Sequence, residues 1–176
     1  DVDADGRLDL IATGDGDVGL WARDGGGNGW GNFRAFRQVP LNVRSDPQAR
    51  WVDLTGDGLP DILITRADEL VWLHSLGTEG YAAAVRRLDV PREPFGGAAA
   101  IFADGTETLF IADMSGDGLP DLVRIRNGSV VYWPSLGYGR FGLPVVMSDC
   151  PLLDQTQQFD PRRVRLADID GSGTTD

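Results

Sequence analysis

The sequence is poor in the residues on which most catalytic and cross-linked proteins depend. It has one cysteine, Cys150, and one histidine, His74, among 176 residues. A single cysteine excludes an intrachain disulfide, and neither side chain has a neighbouring base, acid or cation in the sequence to activate it. We therefore predict that the chain is not an enzyme and is not held together by sulfur.

Long apolar runs and helical periodicity are also missing. No run of about 18 apolar residues occurs, which predicts that nothing here spans a membrane, and no signal-peptide pattern opens the chain. Residues 82–88 are the one stretch that could form a turn of helix, and even there a strand is favoured. With 24 glycines, 10 prolines and 41% hydrophobic residues, the composition predicts an all-β fold of short strands and many turns.

The charge is unbalanced towards acid. The chain has 27 acidic and 16 basic residues and a formal net charge of −11, which argues against binding to nucleic acid or to an anionic membrane surface. Thirteen of the 27 acidic residues lie in four short loops. Four bound Ca²⁺ ions, at +2 each, would change the formal charge from −11 to −3.

These four loops repeat one spacing of oxygen-bearing side chains, at positions 1, 3, 5 and 9. The spacing is typical of a short loop that folds around a hard cation, and Ca²⁺ is the predicted cofactor. A flanking helix and a glutamate at position 12 are absent, so the loops are not EF-hands. The predicted ligands, with the backbone carbonyl at position 7, are Asp1, Asp3, Asp5, Arg7 and Asp9; Asp53, Thr55, Asp57, Leu59 and Asp61; Asp113, Ser115, Asp117, Leu119 and Asp121; and Asp168, Asp170, Ser172, Thr174 and Asp176.

Surface turns rich in Asp, Gly and Pro are the alternative explanation for any one such loop. Four loops in the same register, each with Asp at both ends, favour cation binding. Glycine at position 6 permits the sharp reversal, at Gly6, Gly58, Gly118 and Gly173. The fourth loop has Ser172 at position 5 and is expected to bind more weakly.

The loops also mark a structural repeat. They begin at residues 1, 53, 113 and 168, so the periods are 52, 60 and 55 residues, and 12 of 25 positions are identical when 53–77 is laid over 113–137 without a gap. Short strands are predicted before the loops (49–52, 108–112 and 164–167), directly after them, and again at 18–21, 70–73 and 129–133. Residues 82–107 are the most divergent part and are predicted to be a loop or insertion.

Four short antiparallel strands per period, with the cation loop joining the first two, describe a propeller blade. The prediction is an all-β propeller segment of about three blades over residues 1–176. Three blades cannot close a ring, so the remaining blades of a larger protein are expected partners. Trp21, Trp72 and Trp133 recur 19 or 20 residues after the loop starts, where packing between blades is favoured over a sugar-stacking platform.

The loop pattern, followed by a hydrophobic strand and an aromatic residue before a Gly-rich turn, resembles the FG-GAP or VCBS repeats of integrin-type propellers. The stretches 113–128, 132–141 and 159–176 are similar to the SpvB/TcB proteins, the B components of bacterial insecticidal toxin complexes. That resemblance implies a secreted bacterial protein without catalytic activity. In that family the propeller belongs to a shell that encloses a toxic polypeptide with a C component and docks onto a translocation channel.

The expected function is therefore that of a calcium-binding scaffold and docking surface in a toxin-complex B-type protein. Two alternatives stay open at this point. An integrin-like adhesion or carbohydrate-binding propeller would contact its ligand through exposed aromatic residues on one rim. A propeller hydrolase would carry its catalytic residues in other blades.

Overall fold

The computed structural model describes residues 1–12, 17–26, 29–39, 43, 46–83, 86–94, 97–103, 108–155 and 158–176. Within them the chain forms eleven strands in three antiparallel sheets, each a meander of consecutive strands. The first sheet contains β1 (Leu10–Ala12), β2 (Gly19–Trp21) and β3 (Arg34–Ala35). The second contains β4 (Ala49–Val52), β5 (Asp61–Thr65), β6 (Leu70–Leu73) and β7 (Arg86–Leu88). The third contains β8 (Leu109–Ala112), β9 (Asp121–Arg126), β10 (Ser129–Trp133) and β11 (Val145–Val146).

This architecture confirms the all-β, propeller-like prediction. Two acidic loops connect β4 to β5 and β8 to β9, as the repeat predicts. The helical segments among the described residues are two short 3₁₀ turns, Gly77–Glu79 and Pro161–Arg163. The preference for a strand within 82–88 is confirmed by β7, whereas residues 84–85, 95–96 and 104–107 of the divergent stretch lie outside the described residues.

One predicted strand is wrong. Residues 164–167, expected to lead into the fourth loop, form no strand ladder in the described structure. The equivalent strands β4 and β8 pair with the strands that follow their loops, and the residues that the structure describes after the fourth loop begins include no strand with which 164–167 could pair. A strand is stabilised by its ladder of hydrogen bonds, so the sequence preference alone does not produce one here.

Strand register makes positions in the three sheets directly comparable. The strand after each loop pairs with the next one through equivalent partners: Leu10 with Trp21, Ile62 with Leu73 and Leu122 with Trp133. Successive side chains of a strand point to opposite faces, so each inner strand can contribute to two cores.

The strand β5 shows this double contribution. All five of its residues are buried. Ile62 and Ile64 belong to the core shared with the first sheet, and Leu63 belongs to the core shared with the third sheet. The second sheet is therefore covered on both faces, as a central blade would be.

The recurrent tryptophans divide according to this register. Trp72 and Trp133 are 2% and 1% exposed and lie in the same core between the second and third sheets, which confirms the packing prediction for these two. Their offsets from the loop start differ by one residue, so they point to opposite faces of their own sheets and meet from either side. Trp21 shares the register of Trp133, is only partly buried, and packs on Phe33 with ring centroids 4.7 Å apart.

Candidate metal loops

Each acidic loop reverses direction through two residues with left-handed backbone, at positions 4 and 6. Their φ values lie between 58° and 90°, a region that residues with a Cβ rarely adopt. The four pairs are Ala4 and Gly6, Gly56 and Gly58, Gly116 and Gly118, and Gly171 and Gly173. The predicted role of glycine at position 6 is thus confirmed, and position 4 proves to be a second such site, occupied by alanine only in the first loop.

The carboxylate at position 1 organises this reversal. Asp53 accepts hydrogen bonds from the backbone N–H groups of Gly56 (2.8 Å) and Gly58 (2.7 Å). Asp113 accepts from Gly116 and Gly118 at 2.7 and 2.8 Å, in the same arrangement. Inward-pointing amides and a central carboxylate explain why the second and third loops share one shape.

The carboxylates at position 5 accept hydrogen bonds from the backbone of their own loop. Asp57 and Asp117 each accept a 2.9 Å bond from the N–H group two residues later, at Leu59 and Leu119. Asp5 accepts the corresponding bond from Arg7 N–H, and the Arg7 guanidinium forms a 2.9 Å ion pair with it. These side chains lie at the exposed surface of the loops, with room to reorient towards a cation.

In the second and third loops the carboxylate at position 9 is the most buried of the predicted ligands. Asp61 and Asp121 are both 0% exposed. Each accepts a 2.7 Å bond from a serine N–H beyond the next strand, at Ser75 and Ser135. In the first loop Asp9 is bonded in the same way by the N–H groups of Val2 (2.7 Å) and Arg23 (3.2 Å). Position 9 therefore ties the first three loops to the turn that follows the second strand, whereas Asp176 of the fourth loop accepts a 3.0 Å bond from the N–H group of Ile169 within its own loop.

Two of the loops bring three carboxylates together. In the first loop Asp1, Asp3 and Asp9 place their ligand oxygens within 4.8 Å of one another, and in the fourth loop Asp168, Asp170 and Asp176 do the same. The second and third loops have hydroxyls at position 3, where Thr55 and Ser115 lie 3.2 and 3.4 Å from the position 1 carboxylate oxygen. The fourth loop, expected to be the weakest, is thus as convergent as the first at positions 1, 3 and 9.

The loop carboxylates differ in their tendency to ionise. Burial would raise the pKa of Asp53, but three backbone N–H groups and the Thr55 hydroxyl together outweigh it and hold the pKa below its usual value. Burial raises the pKa of Asp61 and Asp121 in spite of the backbone N–H groups that donate to them. The hydroxyl and N–H of Ser172 lower the pKa of Asp170.

The donor set fits a hard divalent cation. All predicted side-chain ligands are oxygens, which Ca²⁺ prefers at about 2.3–2.6 Å. Oxygens bound to one ion at that distance can be at most about 4.6–5.2 Å apart. In each of the two converged carboxylate clusters the ligand oxygens all lie within 4.8 Å of one another, which is compatible with this limit. A bound cation would also favour the ionised form of the buried position 9 carboxylates.

Sequence reasoning missed the turn that braces the loops. Ser75 and Ser135 donate their N–H groups to the position 9 carboxylates, and their hydroxyls accept from Gly77 and Gly137 at 3.2 and 3.3 Å. The signal was present, because Ser-Leu-Gly occurs at the same place in both repeats. In the sequence this motif indicates only the Gly-rich turn after the second strand, because nothing in its spacing identifies a partner in the loop.

The single histidine and the single cysteine make separate contacts. The His74 Nδ1 atom is 3.1 Å from Asp61 Oδ1, and its ring packs edge-on against Trp72. The Cys150 thiol donates to the backbone carbonyl of Met147. The contacts described for both side chains are with residues of their own repeat.

Comparison with known families supports the repeat assignment. The family model described as "FG-GAP-like repeat" matches residues 1–64 and 53–123, which together span 123 of the 176 residues. The chain belongs to the FG-GAP-like repeat family. No curated protein sequence matches it.

Solved structures that are similar over most of this chain include chains of toxin complexes and a lectin. A chain of the Photorhabdus luminescens Tc holotoxin pore is 29% identical with a TM-score of 0.81, covering 99% of this chain and 8% of that one. An Agrocybe aegerita lectin that recognises non-reducing terminal N-acetylglucosamine is 23% identical with a TM-score of 0.62, covering 99% of this chain and 43% of the lectin. The TcdB2-TccC3-Cdc42 complex contributes a chain with 20% identity and a TM-score of 0.52, covering 94% and 8%. The lectin and the latter complex show a shared fold alone.

The described residues of this FG-GAP repeat chain contain no helix long and apolar enough to cross a lipid bilayer.

Proposed function

We propose that this chain is a non-catalytic, calcium-binding propeller segment that serves as scaffold and docking surface in a secreted bacterial toxin-complex B-type protein. The observation that carries the proposal is the similarity to the Tc holotoxin chain over 99% of this chain with a TM-score of 0.81. The chain spans only 8% of that relative, so the activity of a complete protein enters here as part of the proposal.

The two ends of the sheet stack support a role as one part of a larger ring. At the first sheet, Leu10 is 50% exposed, while its register equivalents Ile62 and Leu122 are 2% and 1% exposed. At the third sheet, Met147 is 42% exposed, while the equivalent Phe36 of the first sheet is 7% exposed. Positions that form cores inside the stack stay open at its ends. We propose that further blades of the same protein cover them.

Docking on partners is the second part of the proposal. In a complete protein, the ring would join a toxin C component and a translocation channel subunit. Its test uses the full-length protein with Leu10→Asp, which places a charge on the open face, and Leu8→Asp as a matched exposed control. Loss of assembly with the C component for Leu10→Asp alone supports the scaffold, and equal assembly of both variants contradicts it.

Calcium would neutralise the repulsion among the loop carboxylates and hold the four acidic loops in one conformation. The convergence of Asp1, Asp3 and Asp9, and of Asp168, Asp170 and Asp176, supports this part of the proposal. A ligand that binds only the folded loops stabilises the fold, so the melting temperature should rise when Ca²⁺ is added to chelated protein.

The calcium test compares two substitutions at position 5. Asp117→Ala removes a predicted carboxylate ligand and should reduce the calcium-dependent thermal shift more than Ser172→Ala, which removes only a hydroxyl. Calorimetric titration and thermal melting at millimolar Ca²⁺ measure the effect. Absence of both heat and thermal shift in the unmodified chain would refute calcium binding.

A further inference from the structure

Neighbouring acidic loops touch one another through a repeated contact. The side chain at position 7 of one loop lies over the glycine at position 4 of the preceding loop. A Cβ built on Gly56 would lie 3.3 Å from Cδ2 of Leu119, and one built on Gly116 would lie 2.8 Å from Cγ2 of Thr174. The same positions meet in both pairs, so the contact is a property of the repeat.

Each contact joins the predicted ligands of two loops. On one side, the N–H of Gly56 donates to the position 1 carboxylate of Asp53 at 2.8 Å. On the other side, the N–H of Leu119 donates to the position 5 carboxylate of Asp117 at 2.9 Å. A shift of either carboxylate towards a cation therefore moves a backbone segment that is packed against the neighbouring loop.

The next pair of loops repeats this linkage and adds a hydrogen bond. The N–H of Gly116 donates to Asp113 at 2.7 Å, and the hydroxyls of Thr174 and Ser172 lie 2.9 Å apart. The N–H of Thr175 donates to the backbone carbonyl of Asp113 at 2.8 Å. The position 1 residue of the third loop is thus bonded directly to the fourth loop.

Resting on the calcium binding proposed above, we propose that the second, third and fourth loops are energetically coupled, so that a cation bound in one raises the affinity of its neighbours. Glycine at position 4 lets the next loop approach closely, because a Cβ at Gly116 would be nearer to Thr174 than side-chain packing allows. As a result of the coupling, the second, third and fourth loops bind calcium together over a narrow range of calcium concentration.

The first loop provides an internal reference. Its position 4 is Ala4, which already carries the Cβ that the other three loops omit. The first sheet shares a core with the second sheet, and the second shares its other core with the third, so the first loop is separated from the third by the second sheet. We expect this loop to respond to calcium independently of the third loop.

The experiment follows each loop separately in the ¹⁵N-labelled chain by nuclear magnetic resonance. The amides of Gly6, Gly58, Gly118 and Gly173, all at position 6, report the four loops during a Ca²⁺ titration. The variant Asp113→Asn changes a predicted ligand of the third loop and no ligand of the other loops. Coupling predicts that the midpoints for Gly58 and Gly173 rise at least about fivefold, the low end of measured couplings, while that for Gly6 stays unchanged.

A second variant keeps every ligand side chain. Leu119→Ala shortens the contacting side chain but retains the backbone carbonyl at position 7, and it should separate the midpoints of Gly58 and Gly118. Its matched control is Leu59→Ala, the same change in the second loop. Both leucines pack near a glycine of their own repeat, Gly77 or Gly137, and Leu119 in addition lies against Gly56 of the second loop. Leu59→Ala should leave the third and fourth loops responding together.

The outcomes distinguish the two proposals. If the amides respond to calcium but the midpoints of Gly58 and Gly173 are unchanged in Asp113→Asn, the coupling is refuted and calcium binding stands. If no amide responds at millimolar Ca²⁺, calcium binding fails and the coupling fails with it.

Discussion

The core between the second and third sheets and the open face of the first sheet use equivalent strand positions but differ in burial. In the core between the second and third sheets, Leu122 and Trp133 are each 1% exposed. On the open face of the first sheet, Leu10 is 50% exposed and Trp21 packs on Phe33. The residue types are similarly apolar in both places. Burial in a stack of sheets is therefore set by the neighbouring sheet, and the apolar residues of an open face indicate where a neighbour belongs.

The strongest way to test this comparison is to truncate the two register-equivalent tryptophans. Trp133→Ala opens a cavity in a closed core and removes the 3.0 Å hydrogen bond from its Nε1 to the carbonyl of Arg92, so it should cost about 3–5 kcal/mol of unfolding free energy. Trp21→Ala should cost roughly 1–2 kcal/mol, because less surface is lost. Urea unfolding measures both. Equal losses would show that the open face is already a core.

A smaller loss of unfolding free energy is expected from changes at position 9 of the acidic loops that belong to the third and first sheets. Asp121→Asn replaces an acceptor oxygen by an NH₂ group and leaves one or two of the N–H groups of Met114, Ser115 and Ser135 unpaired in a buried site. It should cost about 1–3 kcal/mol in chelated protein. Asp9→Asn, at the less buried equivalent position, should cost less.

The raised pKa of Asp121 makes that experiment decisive. Burial disfavours the charged form of this carboxyl, so a neutral amide relieves a penalty as well as losing bonds. If Asp121→Asn proved neutral or stabilising in chelator, the desolvation penalty would outweigh the backbone bonds. The position would then be retained for its charge, as a metal ligand requires.

Removing a surface ion pair should have a smaller effect on stability, and the size of the effect should depend on whether its partners are distant or close in sequence. The Arg66 guanidinium bonded to Asp46 holds the pKa of that carboxyl below its usual range, and the partners are 20 residues apart. The contribution is present above the unfolded pKa of about 3.9 and is lost as the pH falls through the lower folded pKa. Arg66→Met should therefore cost at most about 1 kcal/mol at pH 5–7 and progressively less below pH 4.

The control for this pH dependence is a pair within one turn. Arg162 lowers the pKa of Asp160 to about 2, but the two residues are only two positions apart in sequence and the contact is exposed, so the unfolded chain can form it as well. Melting curves of Arg162→Met between pH 2 and 7 should follow those of the unmodified chain. Parallel losses in both variants would contradict the distinction.

Much of this architecture was predictable because it is repeated. Loop spacing, the strands on either side and the divergent stretch all follow from the overlay of 53–77 on 113–137. Contacts that depend on facing partners were not predictable in the same way. The strand ladder expected at 164–167 needs a following strand. The serine N–H groups that hold Asp61 and Asp121 come from 14 residues away in sequence. Whether a cation occupies the loops stays a prediction.

The smallest effect is expected at the residues with the greatest chemical reactivity. In the third repeat Pro134 stands where the second has His74, and Asp121 there is buried without an imidazole partner. Removing His74 leaves Asp61 bonded to the N–H groups of Ser75 and Leu54, at 2.7 and 3.2 Å. We therefore expect His74→Ala combined with Cys150→Ala to change unfolding free energy by no more than about 1 kcal/mol.

In the complete protein the same double variant should retain biological activity, measured beside Asp121→Asn as the structurally damaging reference. Loss of activity with unchanged stability and unchanged calcium response would point to chemistry at these two side chains and would overturn the scaffold proposal.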